Sequence, residues 1–351
     1  MTTRRENILR AVRFERPEVI PMHLVLSDAC WHHYPQEALK DLMESHPLLF
    51  PDYERPEGEV RPDYGPYQRA GTPYTDPWGC VWETTDDGIA GAVTRHALET
   101  WDDFGDYAPP DPARFREWGE ADWDAEAERI RKDKAEGRLA SGGLRHGHTF
   151  MTLMYIRGWE NLLYDMADDE PRLHRLIQMV EDFNLAVVER YLELGVEWMG
   201  YAEDLGMQRG PMLSPAHFRK YIQPSYERLM RPAREKGVIV HMHSDGDVRT
   251  LVCDLIAGGV EVINLQDLVN GIDWIAAKLK GKVCVDLDVD RQKVTRFGTP
   301  RQVDRLIREE VETLGSKAGG LMMVHGVYPG IPLENIKATM DAMEKYATHY
   351  A

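Results

Sequence analysis

From about Gly137 to the C-terminus, short apolar runs alternate with longer stretches whose apolar positions recur at helical spacing. The runs Arg138–Leu144, Glu197–Ala202, Val238–His243, Val260–Leu265, Val283–Leu287 and Leu321–His325 predict strands, and Thr152–Met166, Pro171–Leu194 and Pro300–Leu314 predict helices among them. Nearly continuous apolar character suits strands buried on both faces, and the alternation calls for a parallel sheet covered by helices. A helix over Arg4–Val12 and a strand over Val19–Leu26, entered through Pro17 and Pro21, supply the first such strand. Between about residues 37 and 132 the rhythm breaks: this stretch is rich in Pro, Gly, Tyr and Trp and reads as an insertion with a β-hairpin around Asp86-Asp87-Gly88. Glu120–Gly137 reads as a solvated, charged helix.

An open doubly wound sheet would alternate in the same way. No Gly-rich phosphate fingerprint follows the first strand, however, and polar residues gather at the strand ends. In a barrel those ends converge on one face, so groups distant in sequence can meet there. The expected fold is therefore an α/β (β/α)8 TIM barrel, with residues 1–351 forming a single domain and residues 37–132 its insertion.

Composition narrows the partners. The formal charge of −17 disfavours nonspecific binding to phosphate backbones. No run approaches the ~20 apolar residues of a spanning helix, and the polar start MTTRREN lacks a signal peptide's apolar core, so a cytoplasmic protein is expected. Cys30, Cys80, Cys253 and Cys284 are scattered without a CxxC pair and read as reduced, mostly buried thiols.

Chemistry concentrates in Gly237–Gly246, an apolar strand ending in His-Met-His-Ser-Asp-Gly. Strand alternation puts His241, His243 and Asp245 on one side, and the strand ending at His325 offers a further imidazole. Two imidazoles and a carboxylate, His243, Asp245 and His325, can hold Zn²⁺ or Fe²⁺ with positions left open for substrate, or can hydrogen-bond substrate directly. Taken singly, His241 reads as a hydrogen-bonded core residue and Asp245 as the cap of a helix starting near Val248, and it is their combination with His325 that favours a functional role. Met199–Gln208 is a strand ending in two carboxylates, Glu203 and Asp204. Asp204 is the candidate acid, base or ligand, and Glu203 is read as a loop cap. Other strand ends offer His146 with His148, Asn264, Gln266, Asp286, Asp288 and Asp290, some as substrate contacts and some as caps. Trp31, Tyr74, Trp78 and Trp82 either wall the pocket or pack the insertion.

Several of these segments resemble the uroporphyrinogen decarboxylase superfamily. They are Arg4-Arg5-Glu6-Asn7 through Val19-Ile20-Pro21, Thr75–Trp82, Arg157–Asn161, Asp204–Gln208, His243-Ser-Asp-Gly246 and Pro332-Leu-Glu-Asn335, in consistent order along essentially the whole chain. The resemblance implies a (β/α)8 barrel with a deep central pocket, an expected homodimer, and one of two chemistries: tetrapyrrole decarboxylation, or methyl transfer among corrinoid proteins, thiols and folates. The decarboxylases' arginine-rich signature near the first strand is replaced here by His23-Leu-Val-Leu-Ser-Asp28, which offers no positive fork for a polyanion. In the zinc-dependent methyltransferase branch, cysteines stand at the positions of Asp245 and His325. Carboxylate and imidazole there suit an oxygen ligand better than a thiolate.

The resemblance thus implies a methyltransferase with zinc, and with a corrinoid protein or tetrahydrofolate as methyl carrier. Its catalytic group is Asp204, His243 and Asp245. Its small-molecule substrate is contacted by His23, His148, Gln208, His241, Asn264, Gln266, Asp286 and Asp288. A decarboxylase or metal-assisted lyase for a small carboxylate is the alternative chemistry, and a silent ligand-binding barrel the non-enzymatic one.

Overall fold

The computed structural model describes residues 2–116 and 118–351. Seven strands make up its main sheet: β1 (Met22–Leu26), β2 (Ser141–Leu144), β3 (Trp198–Ala202), β4 (Ile239–Ser244), β5 (Val262–Gln266), β6 (Cys284–Asp288) and β7 (Leu321–Val327). The helices used below are α1 (Arg4–Arg13), α2 (Phe150–Arg157), α3 (Pro171–Leu194), α4 (Gln223–Glu235), α5 (Pro300–Leu314) and α6 (Leu333–Ala347). The chain divides into two compact units: Met1–Ala70, Asp86–Ala90 and Ile263–Ala351 form one, Gly71–Thr85 and Gly91–Val262 the other.

In the first unit β7 lies between β1 and β6 with parallel register, Met22 opposite Met323 and Val285 opposite Leu321. Every side chain of β6 is buried, as a strand covered on both faces requires. Helices α5 and α6 begin with Pro300 and Leu333, and α5 opens with a Thr299/Gln302 capping box. In the second unit β3 lies between β2 and β4, again parallel, with Ser141 opposite Trp198 and His243 opposite Ala202. The 24-residue α3 starts at Pro171 and stops at Gly195, which adopts φ 78°, and it turns Leu173, Leu176, Ile177, Val180 and Val187 inward.

The seven strands coincide with the seven apolar runs to within a few residues. No eighth strand of the main sheet forms among the described residues: between β1 and β2 the Pro-rich stretch builds short antiparallel pieces instead. The expected hairpin is one of them, Val81–Glu83 paired with Ala92–Arg95. The helix predicted over Thr152–Met166 is broken into Phe150–Arg157 and Trp159–Asp168. Between them Gly158 takes φ 82°, ψ 148°, a conformation open essentially to glycine alone. Cys30, Cys80 and Cys284 are buried and Cys253 is exposed. Among the described residues no helix is long and apolar enough to cross a membrane.

Candidate active site

The second unit's strands end in the polar residues that the sequence singles out. β3 runs out through Ala202 into Glu203 and Asp204, β4 ends with His243 and Ser244 before Asp245, and β2 leads into His146. Backbone bonds stitch these ends together: Gly147 N donates to Ala202 O, Glu203 N to His243 O, and Gly206 N to Asp245 O. The turn after β4 closes on Gly206. A Cβ on Gly246, at φ 81°, would stand 2.1 Å from the Gly206 carbonyl carbon, so both positions need the bare backbone.

Asp204 is the hub. Its Oδ1 accepts from His146 Nε2 at 3.2 Å and from Asp245 N at 3.1 Å, and it lies 3.5 Å from His243 Nε2. His243 Nε2 is also 3.7 Å from Asp245 Oδ1. Burial alone would raise the Asp204 carboxyl, but hydrogen bonds from His146 and His243, together with their charge, hold it well below the usual carboxylate range. Asp204 therefore stays ionised. A carboxylate can only accept, so the metal-free cluster calls for a proton on Nε2 of His146, with Nδ1 as its acceptor face when the ring is neutral.

Among the described residues, His146, Asp204 and His243 are the group of three metal-ligating side chains whose ligand atoms all lie within 4.8 Å of one another. Two imidazoles and a carboxylate form a borderline-hard donor set that suits Zn²⁺ or Fe²⁺. The side chain of His146 is 45% exposed, against 20% for His243 and 21% for Asp204, so the cluster is open on the His146 side.

Next to this cluster in the chain lie two buried residues, Glu203 and His148. Glu203 is fully buried; Oε1 accepts from Thr149 N at 3.0 Å and Met151 N at 2.8 Å, while Oε2 accepts from the Tyr226 hydroxyl. It thus caps α2, whose own N-cap residue Thr149 makes no side-chain cap. Burial raises its pKa, with those hydrogen bonds opposing. His148 is held down to about 3 by burial and by the charges of His146 and Arg145, so it is neutral; Nδ1 meets Thr149 Oγ1 at 2.6 Å.

The expected ligand set was His243, Asp245 and His325. The compact group contains His243, with Asp245 bordering it, and takes His146 and Asp204 as its other members. His325 belongs to the first unit, on β7. It is fully buried, its Nδ1 lies 3.2 Å from Val289 O, and burial holds it at about 4. That bond fixes the Nδ1–H tautomer and leaves Nε2 a buried acceptor without a hydrogen-bond partner among the described residues.

The remaining candidates scatter. His241 stacks on Trp198 with ring centroids 5.0 Å apart. Gln208 is exposed, on the turn between the short strands Gly206–Met207 and Gly210–Pro211. In the first unit His23 is the second residue of β1 and lines a cavity of about 500 Å³ with Arg4, Asn7 and Leu48. That is the amino end of its strand, where a barrel's stability rather than its chemistry is decided. Asn264 donates to Asp286 O at 2.6 Å, and Gln266 O accepts from Asn270. Asp286 and Asp288 are buried, and Asp288 lies 3.1 Å from Arg291. Asp290 is a cap, accepting from the amides of Lys293 and Val294. Trp78 and Trp82 are buried packing residues, and Trp82 Nε1 donates to Asp76.

Comparison with known proteins agrees with the fold. Residues 77–346 match the sequence model of a family described as Uroporphyrinogen decarboxylase (URO-D). Uroporphyrinogen decarboxylase of Thermus thermophilus is 26% identical over 191 residues, 52% of this chain and 51% of that protein. The Homo sapiens protein of that name is 21% identical over 182 residues, 50% and 47% of the two chains. The matches thus span about half the length of these relatives. A solved methyltransferase from Methanosarcina mazei superposes over 100% of both chains with TM-score 0.67 at 15% identity, so the two share a fold. The chain belongs to the uroporphyrinogen decarboxylase (URO-D) family.

Proposed function

We propose that this URO-D family member is a methyltransferase, exchanging a methyl group with a corrinoid protein or a folate at the His146–Asp204–His243 cluster. The observation that carries the reading is that cluster, two imidazoles converging on one ionised carboxylate with Asp245 alongside. Two carboxylates beside imidazoles favour a cation, and the donor set fits Zn²⁺ or Fe²⁺. The full-length likeness to a methyltransferase supports the same reading. So does Ser27-Asp28, which offers no positive fork where tetrapyrrole decarboxylases carry arginines.

A bound divalent ion would supply Lewis acidity to an oxygen ligand. The chain's own residues do the rest. Asp204 orients both imidazoles, Asp245 adds negative charge on the His243 side, and exposed His146 borders the approach to the cluster. Methyl transfer moves a CH3+ equivalent to a nucleophile while the bonding pair stays with the donor, so the nucleophile must present a free lone pair, and an acidic nucleophile must give up its proton to do so. A cationic centre lowers that cost.

The test is to incubate the zinc-loaded protein with methylcobalamin or methyltetrahydrofolate and candidate oxygen and nitrogen nucleophiles, following the corrinoid spectrum, with uroporphyrinogen in a parallel arm. Methyl transfer that Asp204→Asn abolishes supports the proposal. Carboxyl loss from uroporphyrinogen without methyl transfer would replace it with the decarboxylase reading.

A further inference from the structure

We infer that Glu203, held by Tyr226, is a positioning residue that sets the geometry of the His146–Asp204–His243 cluster. The inference rests on the reading of that cluster as the functional centre. Each of the three ligand candidates is tied to Glu203 by a short covalent or hydrogen-bonded path. Asp204 is its neighbour in the chain. His243 receives the Glu203 backbone N–H on its own carbonyl at 3.0 Å. His146 stands three residues before Thr149, whose N–H, with that of Met151, binds Glu203 Oε1. Tyr226, on the buried face of α4, supplies the donor for Oε2.

The arrangement is costly unless it performs a task. A fully buried carboxylate forfeits its hydration, and the penalty is met here by three donors drawn from two separate segments. An apolar side chain would fill the same space, but it would leave the first amides of α2 unsatisfied and remove the carboxylate's tie to the segment that follows His146. Asn184 pins the same segment from the other side, donating to His148 O at 2.6 Å. His146 is the most exposed of the three ligands, so it depends most on how its backbone is held. Partners of this kind tune a metal site by fixing ligand orientation.

The experiment compares wild type, Glu203→Ala, Glu203→Gln and Tyr226→Phe, each first checked for folding by circular dichroism and thermal melting. Two quantities are read: zinc affinity by competition with a chromophoric chelator, and the ¹⁵N resonances of the His146 ring in metal-free protein. Glu203→Gln retains an acceptor for the two amides and a donor for the Tyr226 oxygen, so it is expected to rescue both readouts. Glu203→Ala is expected to weaken zinc binding by about 10–100-fold and Tyr226→Phe by about tenfold or less, while the His146 signature moves towards that of a free imidazole. A folded Glu203→Ala protein with wild-type affinity and an unchanged His146 signature would overturn the inference, and so would failure of Glu203→Gln to rescue. Absence of zinc binding in wild type would remove the functional reading instead, and the metal-free His146 signature would then decide the positioning role alone.

Discussion

Asp204→Asn isolates what the hub contributes. The substitution keeps the side chain's size and an oxygen that can still accept from Asp245 N, at 3.1 Å in the native protein. It removes the negative charge that faces His146 Nε2 at 3.2 Å and His243 Nε2 at 3.5 Å. Hydrogen bonds to a charged group contribute roughly 1.5–3 kcal/mol each, against about 1 for a neutral pair, so about 0.5–2 kcal/mol of orienting energy per good contact is at stake. Loss of an orienting partner alone costs about 10–100-fold in metal affinity. If Asp204 is itself a ligand, its carboxamide should cost more than about 100-fold, or above about 2.8 kcal/mol. Chelator competition gives the affinity, and a thermal melt verifies that the Asn variant is folded. A folded variant within about threefold of wild type, a difference near 0.7 kcal/mol, would refute the assignment of Asp204 as hub.

Three further outcomes are expected. Gly246→Ala places a Cβ 2.1 Å from the Gly206 backbone at φ 81°, where nothing flexible can yield, so the turn after β4 should be disrupted and zinc affinity lost together with several degrees of melting temperature; an unchanged melt would contradict this turn geometry. Burial raises Asp267 and, in concert with Asp267, Glu310, so their protons are held more tightly folded than unfolded. The stability they lend is complete below the ordinary carboxylate range and is lost as pH rises through the raised values; as pH rises above the ordinary carboxylate range the wild-type melting temperature should fall more steeply than that of Glu310→Gln, and parallel profiles would count against the buried pair. Cys253 is exposed while Cys30, Cys80 and Cys284 are buried, with Cys80 pushed up to about 12 by burial, so a thiol reagent should modify one cysteine in the native protein and four after denaturation; rapid native modification of Cys80 would contradict its placement.

The parallel scaffold was legible because both-face burial writes itself as short apolar runs: β6 is buried at all five positions, and its sequence is apolar but for two aspartates. Pro171 and Gly195 marked both ends of α3 in the same way. Gly158 broke a helix that the apolar periodicity carried straight through, since periodicity does not report the ψ of a glycine. At the site, β4 announced His243 and Asp245 by strand alternation, and Glu203 proved to be the cap it was read as, serving α2 from a distant strand end. The grouping of ligands was not legible. Sequence named His146 and His325 as strand-end imidazoles alike, but which of them meets Asp204 depends on strand neighbours and on a five-residue connection between β2 and α2. Tyr226 carried no signal, being one of several residues on the inward face of an amphipathic helix.

The account's central claim is that His146, Asp204 and His243 form a metal-binding functional centre. Metal content of the purified, zinc-reconstituted protein, compared with His146→Ala and His325→Ala variants that retain the wild-type fold, tests it most directly. The account predicts stoichiometric metal in wild type, its loss in His146→Ala and its retention in His325→Ala. Metal retained in His146→Ala and lost in His325→Ala, or no metal in the reconstituted wild type, would contradict it.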